Sequence, residues 1–205
     1  MYRSYADYLR SLDDAALERL FTLRPDLISP TPPDYAALAV RATSGPSLAR
    51  VLDSLNAFEL QVIEALMVLE EPIKVKELEK ITDSSARFVY KKFEELGIIY
   101  EGIIPSQLRE VIGAEPAGLG PKSLAKLDLK KLEKAPESAK KVLAALTWGP
   151  PRGSVGDIKN PGPGIAWLLE EHFVVPLDQR HVIMPSEVAI HLRGGKVHKE
   201  LQAKA

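Results

Sequence analysis

Val62, Ala65 and Leu66 recur 80 positions later as Val142, Ala145 and Leu146, and Ile103-Ile104-Pro105-Ser106 recurs at the same offset as Ile183-Met184-Pro185-Ser186. Between these anchors both stretches carry a Glu-Glu pair followed by a short β-branched run. These are Phe93-Glu94-Glu95-Leu96-Gly97-Ile98-Ile99 and Leu169-Glu170-Glu171-His172-Phe173-Val174-Val175. An internal repeat of about 80 residues means one small fold used twice, and it sets the architecture before any local propensity is considered.

Hydrophobic residues make up 45% of the chain and charged ones 27%, a globular rather than disordered composition. No apolar run reaches the roughly 18 residues of a membrane span, and Tyr2-Arg3-Ser4-Tyr5-Ala6-Asp7 lacks the apolar core of a signal peptide. The absence of cysteine excludes disulfides, thiolate metal ligands and cysteine catalysis, and fits a cytoplasmic protein. The net charge of −1 hides an uneven distribution. Residues 51–115 hold 7 basic and 13 acidic side chains, whereas residues 116–141 hold 7 basic and 3 acidic.

The first 55 residues read as short helices. Ser11 is placed to cap a helix over 12–23, with Asp13 and Asp14 in its first turn and Leu17, Leu20, Phe21 and Leu23 as its apolar stripe. Prolines 25, 30, 32 and 33 interrupt the chain before helices over 34–43 and from Ser44-Gly45-Pro46 onward. Asn56 caps a helix over 57–69, a second runs over 75–81, and a third begins at Asp83 or Ser84 with Ala86, Val89, Phe93 and Leu96 on one face. Gly97 stands where a helix ends in a left-handed residue. Two strands, 98–100 and 103–104, flank a turn at Glu101-Gly102.

Helix, short helix, helix, glycine stop and hairpin is the order of a winged helix-turn-helix. In the second copy the first helix, over 139–147 and capped by Ser138, and the hairpin, 173–177 with 181–184, are retained. Residues 149–164, however, contain five Gly and four Pro and cannot be regular helix. The expected fold is therefore mainly α with small β-hairpins (α+β): an N-terminal helical layer over 1–55, a winged helix over 56–115, a basic linker over 116–137, a degenerate winged helix over 138–195 and a polar tail over 196–205.

A winged helix meets DNA through the outer face of its third helix. In the first copy that face offers Ser84, Ser85, Arg87, Phe88, Lys91 and Lys92, with Arg87 and Lys91 one turn apart. The lysines 122, 126, 130, 131, 134, 140 and 141 form a second phosphate-binding candidate, in which Lys122, Lys126 and Lys130 lead, and Lys126 and Lys130 share a face if that stretch is helical. Opposed to DNA contact is the acidic balance of the first copy. Gly113 and Gly118 have the glycine spacing of a phosphate-binding loop, but Leu119 stands where its lysine belongs. The four histidines lack ligand spacing for a metal, and no nucleophile–base pair stands in a catalytic setting. No cofactor, metal or catalytic residue is expected, and the chain is read as no enzyme.

Two stretches resemble a known family: Arg24-Pro25-Asp26-Leu27 through Arg41-Ala42, and Val51-Leu52-Asp53-Ser54-Leu55-Asn56-Ala57-Phe58-Glu59-Leu60-Gln61-Val62. They are similar to the start of the large actinobacterial helicase-associated proteins with an XPB-like helicase C-terminal domain. The resemblance covers residues 8–70 and, loosely, the repeats. It implies an N-terminal portion of a longer protein in DNA repair or transcription, and carries over no functional residue. The expectation is a non-catalytic, DNA-associated winged-helix module with non-specific, salt-sensitive binding and no membrane contact. The alternative is a protein–protein interaction scaffold that uses the same units without touching DNA.

Overall fold

Ser4 and Asp13 each turn a side-chain oxygen back onto the chain and so open the first two helices. Ser4 Oγ accepts from the Asp7 amide at 3.1 Å at the start of α1 (Tyr5–Ser11), and Asp13 Oδ1 accepts from the Ala16 amide at 2.8 Å at the start of α2 (Asp14–Leu23). The helix predicted over 12–23 is α2, which starts two residues later at Asp14, and α1 precedes it as a separate helix. Ser11 closes α1 by donating to the Tyr8 carbonyl, and Asp13 takes the capping role. The computed structural model describes residues 3–202. These fall into two units: one takes in the described residues up to Gly113 with Leu201 and Gln202, the other is Ala114–Glu200. Both are mainly helical, and no described helix is long and apolar enough to cross a membrane.

In the first unit, α3 (Tyr35–Ala42), capped by Asp34, and α4 (Gly45–Asp53) complete the N-terminal helices. Tyr5, Leu9, Leu20, Leu27, Leu38 and Ala42 bury their side chains together. Of the stripe predicted for α2 only Leu20 is buried. Leu17 and Phe21 are half-buried and Leu23 is exposed, because α2 presses a single edge against the core. Arg24 lies inside, 2% exposed, and donates to the Leu96 and Ala42 carbonyls and to Ser47 Oγ at 3.1, 2.7 and 2.7 Å. A guanidinium there meets the electron-rich carbonyl ends of helices. Burial holds its pKa below the ordinary arginine value.

The first copy of the repeat shares this unit. Asn56 and Glu59 form a reciprocal capping box at the start of α5 (Ala57–Met67). Next come α6 (Val75–Ile81), α7 (Ala86–Glu95) and α8 (Ser106–Ile112). Tyr5 Oη donates to the Gly97 carbonyl at 2.6 Å, and the Tyr5 and Tyr8 rings pack tilted against Tyr100 with centroids 4.9 and 5.4 Å away. The two predicted strands shrink to one antiparallel bridge, Tyr100 with Ile103. The turn between them uses left-handed Glu101 and Gly102, φ 50° and 78°, and leaves no length for a ladder.

The second unit runs α9 (Glu137–Thr147), β1 (Arg152–Ser154), α10 (Pro163–Glu170), β2 (Val175–Pro176), β3 (His181–Ile183) and α11 (Ser186–Leu192). Its antiparallel sheet has the order β1–β3–β2. The Gly- and Pro-rich segment 149–164 therefore contains a strand that its composition conceals. Helix α9 begins at Glu137, one residue ahead of the predicted cap Ser138. Arg193, 7% exposed, donates to the Thr147, Ala117 and Val197 carbonyls and lies 4.6 Å over the Trp148 ring. Val197 is fully buried, so the predicted polar tail is in part core; residues beyond 202 lie outside the described ones.

The repeat is legible in backbone detail. Helices α5 and α9 span 57–67 and 137–147, and α8 and α11 span 106–112 and 186–192. Helices α7 and α10 end alike. The Ile98 amide reaches the Phe93 carbonyl at 3.0 Å and the Phe173 amide reaches the Leu168 carbonyl at 2.8 Å, a Schellman closure in both. This pairs Phe93 with Leu168, so Glu94-Glu95 corresponds to Leu169-Glu170, one residue away from the sequence match. The Tyr100–Ile103 bridge corresponds to the Val175–Ile183 pair, and the second hairpin carries five more residues in its loop. The Met184 amide donates to the Pro151 carbonyl at 2.8 Å, whereas the equivalent Ile104 amide donates to the Glu71 carboxylate at 3.1 Å. Arg109 holds that carboxylate at 2.6 Å. At this amide a carboxylate thus stands in the first copy where a main-chain carbonyl stands in the second, while the Ile73 amide still donates to the Gly102 carbonyl at 2.8 Å.

Candidate nucleic-acid interface

Helix α7 exposes the residues predicted to meet DNA, and the first unit neutralises most of them. Asp83 Oδ1 accepts from the Ser85 amide at 2.7 Å, while Ser84 is exposed. Arg87 Nε donates to Glu79 Oε1 at 2.6 Å and to the Ser84 carbonyl at 3.0 Å. Lys92 Nζ donates to Glu59 Oε1 at 2.6 Å, and that glutamate is buried and already committed to the α5 cap. Lys91 is exposed and has no ion pair among the described residues. Glu94 is exposed, but partial desolvation, and then Glu95, hold its carboxyl above the ordinary range, with Lys91 opposing them. Glu95 pairs with Arg19 at 2.8 Å, not with Lys91.

The one large apolar group on this face is Phe88, 72% exposed. It flanks a shallow groove with Phe58, Val89, Ser85, Asn56 and the Glu59–Lys92 pair.

In the second unit the lysine segment is not the helix that would align Lys126 with Lys130. Residues 121–128 are irregular, and a 3-10 helix covers Leu129–Lys134. Pro121 at its head and the Ser123 turn break the α-helical register. Lys131 is spent on Glu171 at 2.6 Å, which raises its pKa, and Lys140 pairs with Glu137 at 3.1 Å. Lys122 and Lys126 are exposed near the turn, and Lys126, Lys130, Lys134 and Lys141 have no ion pair among the described residues.

Two further cations without an ion pair among the described residues were missed in the sequence, Lys159 on the loop after β1 and Arg180 on the β2–β3 turn. The loop and the turn are joined, since the Val155 and Ile158 amides donate to the Arg180 and Gln179 carbonyls at 2.8 and 3.0 Å. The turn itself is pinned by Asp178, which accepts from the Arg180 and His181 amides at 2.7 and 2.8 Å and from the His181 ring. These bonds, the Arg180 amide first, hold the Asp178 carboxyl below its ordinary range. The signal for Arg180 was present in its placement on a polar hairpin turn. Nothing local marks Glu59 as the partner of Lys92, 33 residues away.

Counted from the sequence, residues 1–113 carry a net −5 and residues 114–200 a net +3. The free cations of the second unit thus offer charge to an anionic partner, whereas the α7 face offers an aromatic ring between paired charges. No family model, curated protein or solved structure matches this chain.

Proposed function

We propose that the chain is a non-catalytic, DNA-associated module of two winged-helix units, and that the second unit supplies the phosphate contacts. Supporting the fold is the order helix, strand, helix, strand, strand with sheet order β1–β3–β2, and the matching helix ends of the first copy. The observation that carries the DNA contact is the split in charge pairing. Arg87 and Lys92 are held by Glu79 and Glu59, whereas Lys126, Lys130, Lys134, Lys141, Lys159 and Arg180 have no ion pair among the described residues. Helix α10 contains no lysine or arginine, so the contact is to the backbone of DNA rather than to base edges. In a longer protein of the helicase-associated kind, such a module would hold the duplex for another domain.

Fluorescence anisotropy with a labelled random-sequence duplex tests this. Micromolar binding at about 50 mM salt should fall ~10²-fold by about 200 mM, as expected for about four phosphate contacts. Lys126→Glu and Lys130→Glu should weaken it further. Absence of binding at the lower salt, or binding indifferent to both substitutions, rules the proposal out.

A second function, protein–protein scaffolding by the first unit, is favoured by Phe88 alone. A 72%-exposed aromatic ring in the first turn of a helix is a usual anchor for a protein partner.

A further inference from the structure

We propose that two copies of this chain associate head to tail, with Leu124 of one copy seated in a groove on α2 of the other.

Leu124 is fully exposed, and the chain holds it there. The Ser123 amide donates to both Glu187 carboxylate oxygens at 3.2 and 3.0 Å, and the Ala125 amide donates to Ser123 Oγ at 3.1 Å. The base of the turn is fixed as well. The Ser186 amide donates to the Pro121 carbonyl at 3.1 Å, and Gly120 lies so close to Met184 that a Cβ there would stand 2.2 Å from its carbonyl oxygen. A leucine on a pinned turn stays in water unless a partner covers it. Lys122 and Lys126 flank it, two residues to either side.

The counterpart lies in the first unit. Leu17, Phe21 and Ile28 floor a shallow groove beside α2, and Ile28 is 41% exposed. Its titratable lining residues are the carboxylates Asp14 and Glu18, one turn apart on α2, with no ion pair among the described residues. An apolar floor with an anionic rim therefore faces the same chemistry inverted, an apolar knob beside Lys126, which has no ion pair among the described residues. The net −5 of residues 1–113 and +3 of residues 114–200 favour the same pairing between copies. Knob and groove are different surfaces, so the contact is heterologous and each added copy leaves one of each open. A single leucine with one flanking charge is smaller than a standard interface, so the association is weak.

Sedimentation equilibrium of the purified chain, from about 10 µM to about 1 mM at about 50 mM salt, tests the proposal. The weight-average mass should rise above the 22.6 kDa of one chain as concentration increases. Leu124→Asp, at a position that contributes nothing to the core, should return it to the monomer value. Glu18→Lys and Lys126→Glu should each weaken association at least ~5-fold, and the two together should restore it. A monomeric mass throughout, or association that survives Leu124→Asp or shows no rescue in the double reversal, overturns the proposal. A monomeric chain that still binds a labelled peptide of residues 120–128 at the α2 groove also overturns it, and leaves a foreign basic segment as the occupant.

Discussion

His172 occupies in the second unit the place that Gly97 holds in the first. Each follows the cap of its helix, each has a left-handed backbone, φ 59° and 65°, and each donates its amide to the carbonyl three residues back, Leu169 and Glu94. The left-handed region costs a side-chain-bearing residue roughly 1–2 kcal/mol and glycine almost nothing. His172→Gly should therefore stabilise the protein by about 0.5–1 kcal/mol. Gly97→Ala should destabilise it by ~2–4 kcal/mol, because its Cβ would also stand 2.6 Å from Tyr5 Oη and disturb that bond. Urea unfolding of both variants measures the pair, and equal effects would contradict the assignment.

Arg24 is the polar anchor of the first core. Arg24→Ala leaves the Leu96 and Ala42 carbonyls and Ser47 Oγ without their donor in a buried site, a loss of about 2–4 kcal/mol. Arg24→Lys keeps the charge but cannot span three acceptors, and should recover less than half of that loss. Thermal unfolding of the two variants separates charge from geometry.

Glu59→Gln retains the oxygen that caps Asn56 but removes the charge that holds Lys92, and Glu79→Gln does the same for Arg87. Each should raise duplex affinity at about 50 mM salt by roughly 2–5-fold, with a steeper salt dependence. Anisotropy titrations on the two variants show whether α7 is silenced by its own glutamates. Unchanged affinity in both means that helix faces away from any duplex.

Glu94 gives a pH signature. Its folded pKa lies above the unfolded value, so its contribution to stability is full below the ordinary carboxyl range and is lost as pH rises through the raised value. Glu94→Gln, neutral at every pH, should have the higher Tm at pH about 7 and match the parent at pH about 3. Calorimetry at both pH values decides it.

The elements legible in the sequence are those whose cause is local. Asn56 and Asp34 announced their helices, and Gly97 announced a stop. Helix α1 was hidden because it is only seven residues long and its last residue, Ser11, has the chemistry of a cap. Strand β1 was hidden because its pairing is imposed by the open edge of β3, not by residues of its own among so many Gly and Pro. The α7 cations were legible as helix-surface charges, but their neutralisation was not. Glu79 lies on another helix, and Glu59 is brought to Lys92 only by the crossing of α5 and α7.

The contact at Glu71 makes the two copies unequal in their tolerance of sequence drift. In the second unit the Met184 amide at the edge of β3 is covered by a main-chain carbonyl, which every amino acid supplies, so that bond depends on no particular side chain. In the first, one carboxylate covers the Ile104 amide, and a single codon at position 71 removes it. The copy with the simpler hairpin is thus the one more tightly bound to its own spelling.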